Sequence, residues 1–135
     1  MERLFVDTSA WLAYLNRADR SHAPVRAVLG RYEGRVVTTN FVFDETVTLA
    51  RARLGQAAAL LVGDLLRDPD VADLVRVSAA DEGRAWKLFQ AREDKRYSFT
   101  DCTSFVVMRR LGLETAVTLD ADFAREGFAV RPSPS

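Results

Sequence analysis

The sequence predicts an α/β fold in which a mostly parallel sheet is covered by helices. Short apolar runs alternate along the chain with longer segments whose apolar residues recur at helical spacing. Such alternation requires right-handed crossovers, which place the strands parallel and the helices on both faces of the sheet. At 135 residues the chain has room for one domain, which we place at residues 1–131, before a disordered tail at 132–135.

The first half of the chain is predicted to hold two strands and four helices. Thr8 or Ser9 can cap the first helix and Asn40 the third, because their side-chain oxygens accept hydrogen bonds from N–H groups of the first turn. Gly34 and Gly55 follow the second and third helices, where a helix commonly ends. The predicted strands are 3–7 and 35–39, and the helices are 8–17, 22–32, 40–53 and 56–67.

The second half is predicted to hold three strands and two helices. The strands are 74–78, 116–119 and 128–130, and the helices are 80–92 and 99–111. A charged loop at 93–96 separates the two helices, and Gly112 ends the second. The strands of both halves therefore belong to one sheet, whose carboxyl edge is where α/β folds bind their ligands.

Composition excludes several kinds of site. The single Cys102 cannot form an intramolecular disulfide or a cysteine zinc cluster, and the single His22 cannot form a two-histidine metal site. Nineteen basic and nineteen acidic residues give a net charge of zero, which excludes a uniformly basic nucleic-acid binder but not a local basic patch.

The N-terminus and the apolar runs predict a cytoplasmic protein without a membrane partner. No apolar run approaches the roughly 20 residues that span a bilayer. Met1 is followed almost at once by a predicted strand, without the features of a secretory signal.

Acidic side chains follow two of the predicted strands. Asp7 ends the run Leu4-Phe5-Val6, and Asp120 ends the run 116–119. Two carboxylates about 4 Å apart repel each other by roughly 4 kcal/mol at an effective dielectric constant near 20. A divalent cation between them would remove that cost, so this edge of the sheet is a candidate metal site. A helix cap is the competing interpretation for Asp7.

A third acid lies on the apolar face of a predicted helix. At about 100° per residue, Glu45 falls between Phe41 and Leu49, whereas Asp44 falls on the polar face. An acid on a core-facing stripe carries a desolvation cost unless it is paired or coordinated. Glu45 is therefore predicted to need a partner, and Asp44 to be a solvated surface acid.

Two further acids have competing structural explanations. Ser98 and Asp101 have the spacing of a capping box, so Asp101 could simply close a helix N-terminus. Its helical face also carries Phe105, which directs it inward, and the two roles are compatible. Asp122 could be a turn residue after a strand or an additional metal ligand.

Four motifs together resemble the PIN-domain ribonucleases, and within them the VapC-type toxins of bacterial and archaeal toxin–antitoxin pairs. The motifs are Val6-Asp7-Thr8-Ser9, Glu45 in a helix after Thr39-Asn40, Ser98-Phe99-Thr100-Asp101-Cys102, and Thr118-Leu119-Asp120-Ala121-Asp122-Phe123. The resemblance implies a three-layer α/β/α fold and endonucleolytic cleavage of RNA with Mg²⁺ or Mn²⁺. It also implies homodimers and inhibition by a cognate VapB-type antitoxin.

The resemblance assigns roles to individual residues by position. Asp7, Glu45, Asp101 and Asp120 take the catalytic, metal-binding positions, and Asp122 takes a less uniform position as a further metal ligand. The bound ion would acidify a water molecule for attack on the phosphodiester. Nearby arginines could hold RNA phosphates, and the sequence suggests Arg51, Arg92 or Arg96.

Other metal-site families fit less well. An adhesion module would carry Asp-x-Ser-x-Ser after its first strand, but Trp11 stands where the last serine belongs. A haloacid-dehalogenase phosphatase would have a second aspartate where Ser9 stands, and the P-loop motif is absent. A non-catalytic metal-binding or regulatory PIN-like module remains the alternative. The sequence leaves transfer, ribosomal and messenger RNA open as targets.

Overall fold

The computed structural model describes residues 2–134, so Met1 and the last residue of the predicted tail, Ser135, lie outside it. The strands are β1 (Leu4–Val6), β2 (Val36–Thr39), β3 (Ala72–Val75), β4 (Thr115–Val117) and β5 (Ala129–Arg131). The helices are α1 (Thr8–Leu15), α2 (His22–Arg31), α3 (Asn40–Leu54), α4 (Gln56–Arg67), α5 (Ala79–Ala91), α6 (Phe99–Leu111) and α7 (Asp122–Arg125). No helix in the described range is long and apolar enough to cross a membrane.

The five strands form one sheet in the order β3-β2-β1-β4-β5, and every pair is parallel. Phe5 of the central strand pairs with Val37 on one side and Ala116 on the other. All three residues of β1 are buried, as expected for a strand covered on both faces. The predicted α/β fold with helices around a parallel sheet is confirmed. The carboxyl ends of β1 and β4 lie side by side in this sheet.

Several element boundaries differ from the sequence prediction. The third strand lies at Ala72–Val75 rather than 74–78, because Ser78 caps α5 by accepting a hydrogen bond from the N–H of Asp81. The fourth strand ends at Val117 rather than 119, which puts Asp120 in the loop that follows. Helix α1 ends at Leu15, two residues earlier than predicted, and α7 was not predicted.

Aromatic packing in the core connects the elements that carry the candidate acids. Phe5, Phe105 and Phe123 are fully buried. The rings of Phe105 and Phe123 meet edge to face with centroids 4.9 Å apart, and Phe5 lies 6.3 Å from Phe123. Since Phe105 is one helical turn after Asp101 and Phe123 follows Asp122, this packing fixes the positions of both acids relative to β1.

Candidate active site

Four of the five candidate acids line a single cleft at the carboxyl edge of the sheet. Asp7 follows β1, Asp120 follows β4, Glu45 lies in the second turn of α3, and Asp101 lies in the first turn of α6. Thr8, Ser9, Leu12, Leu49, Arg53 and Ser98 complete the cleft wall. The structure therefore brings together side chains that are up to 113 positions apart in the sequence, counted from Asp7 to Asp120.

Asp7 is buried and held by hydroxyl groups. Its Oδ2 atom accepts hydrogen bonds from Thr118 at 2.9 Å and from Ser9 at 3.0 Å. Burial raises the pKa of Asp7 to about 6, against the opposing effect of these hydrogen bonds. Although Asp7 is the N-cap residue of α1, its side chain makes no capping hydrogen bond. Asp7 therefore occupies the N-cap position, as the helix-cap interpretation predicts, but its side chain does not cap the helix.

Asp101 serves as a helix cap and also faces the cleft. Its Oδ2 atom accepts from the N–H of Ser98 at 3.1 Å, and its own N–H donates to the Ser98 hydroxyl at 3.0 Å, which completes the predicted capping box. Burial first, and then the charges of Asp7 and Asp120, raise the pKa of Asp101 to about 7. The geometry of Asp101 thus fits both interpretations, the helix cap and the inward-facing acid.

Asp120 and Asp122 lie close to Asp101. One carboxylate oxygen from each of the three lies within 4.8 Å of the others. Asp120 Oδ1 accepts from the N–H of Asp122 at 2.9 Å, and Asp122 forms an ion pair with Arg125. Burial and the neighbouring charge of Asp122 raise the pKa of Asp120. Asp122 thus belongs to this group of three carboxylates, although it does not line the cleft with the other four acids.

Glu45 contributes the fourth carboxylate from α3. It is partly buried, whereas Asp44 is exposed, as the helical wheel predicted. Within residues 2–134, the Glu45 side chain makes no hydrogen bond and no ion pair. Because Glu45 lies on a core-facing stripe, it was predicted to need a partner. The described part of the chain supplies none.

One arginine lines the cleft, and the sequence analysis missed it. Arg92 is committed to Glu126 through a 3.0 Å ion pair, and neither Arg51 nor Arg96 lines the cleft. Arg53 does. Arg53 lies eight residues after Glu45, about two turns along α3 and about 80° around the helix from it, so the spacing alone gave only a weak signal.

Comparison with known proteins identifies the family. The PIN domain model matches residues 4–129. The chain belongs to the PIN-domain family. This PIN domain is 38% identical over 130 residues to the 23S rRNA-specific endonuclease VapC20 of Mycobacterium tuberculosis, covering 96% of this chain and 98% of the relative. It is 30% identical over 131 residues to Ribonuclease VapC26 of the same organism, covering 96% of this chain and 93% of that relative.

Solved structures agree with that assignment. The crystal structure of M. tuberculosis VapC20, described as a Sarcin-Ricin loop cleaving toxin, matches this PIN domain with a TM-score of 0.89 at 36% identity, covering 93% of this chain and 96% of that one. The DNA-bound VapBC from Salmonella typhimurium matches with a TM-score of 0.67 at 14% identity, covering 97% and 98% of the two chains. The second similarity shows the shared fold alone.

The PIN-domain cleft offers carboxylates and hydroxyls rather than an activated nucleophile. Cys102, next to Asp101, is fully buried, and burial raises the pKa of its thiol to about 11. The lone His22 lies in α2, with its Nδ1 atom 2.9 Å from the carbonyl oxygen of Ala13, outside the cleft. Hard oxygen ligands clustered in this way suit a divalent cation.

Proposed function

We propose that this PIN domain is a metal-dependent endoribonuclease that hydrolyses RNA phosphodiester bonds and acts as the toxin of a VapBC-type pair. The observation that carries the proposal is the convergence of Asp7, Glu45, Asp101 and Asp120 on one cleft. The names of the relatives VapC20 and VapC26 support it, since both are called nucleases that act on RNA.

The proposed cofactor is Mg²⁺ or Mn²⁺, held by the four cleft carboxylates as catalytic residues. The raised pKa values of Asp7 and Asp101 support this. Burial is their main cause and nearby carboxylates add to it, and a cation beside these groups would stabilise their anions. Asp122 adds negative charge beside the site as a weaker ligand, since its carboxylate already pairs with Arg125. When bound, the ion supplies Lewis-acid chemistry and a water of lowered pKa.

The residues around the acids hold them in place for that role. Ser9 and Thr118 fix the Asp7 carboxylate through hydrogen bonds to its Oδ2 atom. The Ser98 capping box uses Oδ2 of Asp101 in the same way. Neighbouring groups thus orient both carboxylates, as they commonly orient the ligands of a bound metal.

Cleavage assays test the proposal directly. Total cellular RNA is incubated with the protein in Mg²⁺, in Mn²⁺ and in EDTA, with Asp7→Asn and Asp44→Asn as matched variants. We expect cleavage with either metal, loss in EDTA and in Asp7→Asn, and retention in Asp44→Asn. Cleavage in EDTA would overturn the metal mechanism. Metal binding by calorimetry without any RNA cleavage would instead favour a non-catalytic or regulatory PIN-like module.

The proposed protein partner is a VapB-type antitoxin that binds a groove between α1, α2 and α4. The groove has an apolar floor of Tyr14, Leu15, Leu61 and Leu65, and Leu61 is 64% exposed. His22 and four charged residues complete its lining: Arg17, Arg26, Asp64 and Asp68. An amphipathic segment would cover these apolar side chains. Co-expression with the protein encoded beside this chain tests the site. Leu61→Glu should abolish co-purification, whereas Lys87→Glu, an exposed change on α5, should leave it intact.

A homodimer is also proposed, through an aromatic patch formed by Phe41, Trp86, Phe89 and Phe99. Trp86 is 55% exposed and stacks on Phe89 with centroids 5.8 Å apart, and Phe99 contacts the other three rings. Exposed aromatic clusters are typical of protein interfaces. Light scattering should report a dimer for the native chain and a monomer for Trp86→Glu, with Leu60→Glu as an exposed-leucine control.

A further inference from the structure

The candidate cleft contains one cationic side chain among its carboxylates. Arg53 lies in the last turn of α3 and lines the cleft two turns beyond Glu45. No ion pair within 4 Å and no hydrogen bond among residues 2–134 involves its guanidinium group. This contrasts with Arg92, Arg109 and Arg110, each of which is committed to a carboxylate of the fold.

The position of Arg53 suits an anionic ligand better than a structural role. Its side chain is exposed, so its removal leaves no cavity in the core. The nearby acids could attract the guanidinium, yet none of them pairs with it. A guanidinium group presents a planar set of N–H donors that matches the oxygens of a phosphate. An RNA chain in the cleft would present such phosphates to it.

We propose that Arg53 is a substrate-binding residue that contacts an RNA backbone phosphate in this cleft. This inference rests on the proposed ribonuclease function and adds to it the residue that binds the RNA backbone next to the cleft acids. Since phosphates are common to all RNA, the contact contributes affinity and register rather than sequence preference.

Salt-dependent binding of a single-stranded RNA oligonucleotide tests the contact independently of cleavage. Fluorescence anisotropy in EDTA gives Kd at several salt concentrations, and a gel checks that the oligonucleotide stays intact. Each phosphate contact contributes about 0.7 to the slope of log K against log salt for single strands. We expect Arg53→Gln to weaken binding about tenfold, as for a lost hydrogen bond to a charged group, and to lower the slope by about 0.7.

Arg51 provides a matched control from the same helical turn. It is exposed like Arg53 but does not line the cleft, so Arg51→Gln should keep the native affinity and slope. An unchanged slope in Arg53→Gln, or an equal loss in both variants, would overturn the assignment. Failure of the native chain to bind or cleave RNA would overturn the proposed function instead. Unfolding temperatures of both variants, expected to match the native one, verify that the fold is intact.

Discussion

The Thr118 hydroxyl donates a 2.9 Å hydrogen bond to Oδ2 of Asp7, and the Thr118 hydroxyl oxygen accepts one of 3.0 Å from the N–H of Asp120. One side chain at the end of β4 thus links two acids of the cleft. Thr118 is 1% exposed, so water cannot easily replace either bond. Ser9 adds to the link by donating to Asp7 and accepting from the N–H of Leu119 at 2.9 Å.

Removal of the Thr118 hydroxyl should therefore weaken metal binding. Thr118→Val keeps the shape of the side chain but takes away a hydrogen bond that lowers the pKa of Asp7, so that pKa should rise further. Loss of such an orienting group typically costs about 10–100-fold in metal affinity, which calorimetry with Mn²⁺ can measure. Thr103→Val is the control, since the Thr103 hydroxyl donates to the carbonyl of Thr100 within α6. Equal Mn²⁺ affinity in both variants would contradict the role of Thr118.

Metal-free stability should fall as the pH rises from about 5 to about 8. Asp7 and Asp101 have pKa values of about 6 and about 7 in the folded chain, both above the ordinary 3.8. The folded state therefore holds protons that the unfolded state releases, and its advantage is lost as each acid ionises. For Asp7 the full loss is about 3 kcal/mol between about pH 4 and pH 7, of which roughly 1.4 kcal/mol falls within the window from pH 5 to pH 8.

Urea unfolding in EDTA at pH 5 and at pH 8 measures this effect. Asp101→Asn should flatten the dependence, because the amide does not ionise. Glu126 and Asp81 have lowered pKa values, so their contributions are lost only as the pH falls to the acidic side of this window. Greater stability at pH 8 than at pH 5 in EDTA would contradict the prediction.

The sequence was sufficient to predict the sheet and the four cleft acids because those signals are local. Asp7 and Asp120 follow apolar runs, which placed them at one edge of the sheet, and Glu45 lies on an apolar helical stripe. The resemblance of the motifs to a known family joined these three acids and Asp101 into one predicted site. Helix α7 was not predicted, because its four residues are too few to show helical periodicity. The face that α7 turns towards the core is set instead by the burial of Phe123.

Long-range contacts account for what the sequence could not predict. Glu126 is nearly buried and accepts hydrogen bonds from Arg92, Tyr97 and Arg109, residues 17 to 34 positions away. Nothing local marks it as different from a surface acid of a short helix. The same contacts explain why Arg92 does not line the cleft, because its guanidinium group donates a hydrogen bond to Glu126.

Divalent metal should stabilise the folded chain and release protons when it binds. At a metal concentration of 100 times Kd the gain is about 2.7 kcal/mol, visible as a higher Tm in Mg²⁺ or Mn²⁺ that EDTA reverses. Near pH 6.5 the Asp7 and Asp101 carboxyls are partly protonated, so binding should displace protons. Calorimetry in two buffers of different ionisation enthalpy counts them. Asp120→Asn should reduce the Tm gain, and an identical gain in that variant would argue against its role as a ligand.

Breaking the Asp81–Arg110 ion pair should affect stability without affecting metal binding. Both Asp81 oxygens accept from Arg110, at 2.8 Å each, and the Asp81 side chain is fully buried beneath the N-terminus of α5. Arg110→Met would leave that carboxylate without its main partner, at a cost of about 2–3 kcal/mol. Urea unfolding measures the loss, and Mn²⁺ calorimetry should give the native affinity because neither residue lines the cleft. A parallel fall in Mn²⁺ affinity would mean that the α5–α6 contact also positions Asp101, which lies at the other end of α6.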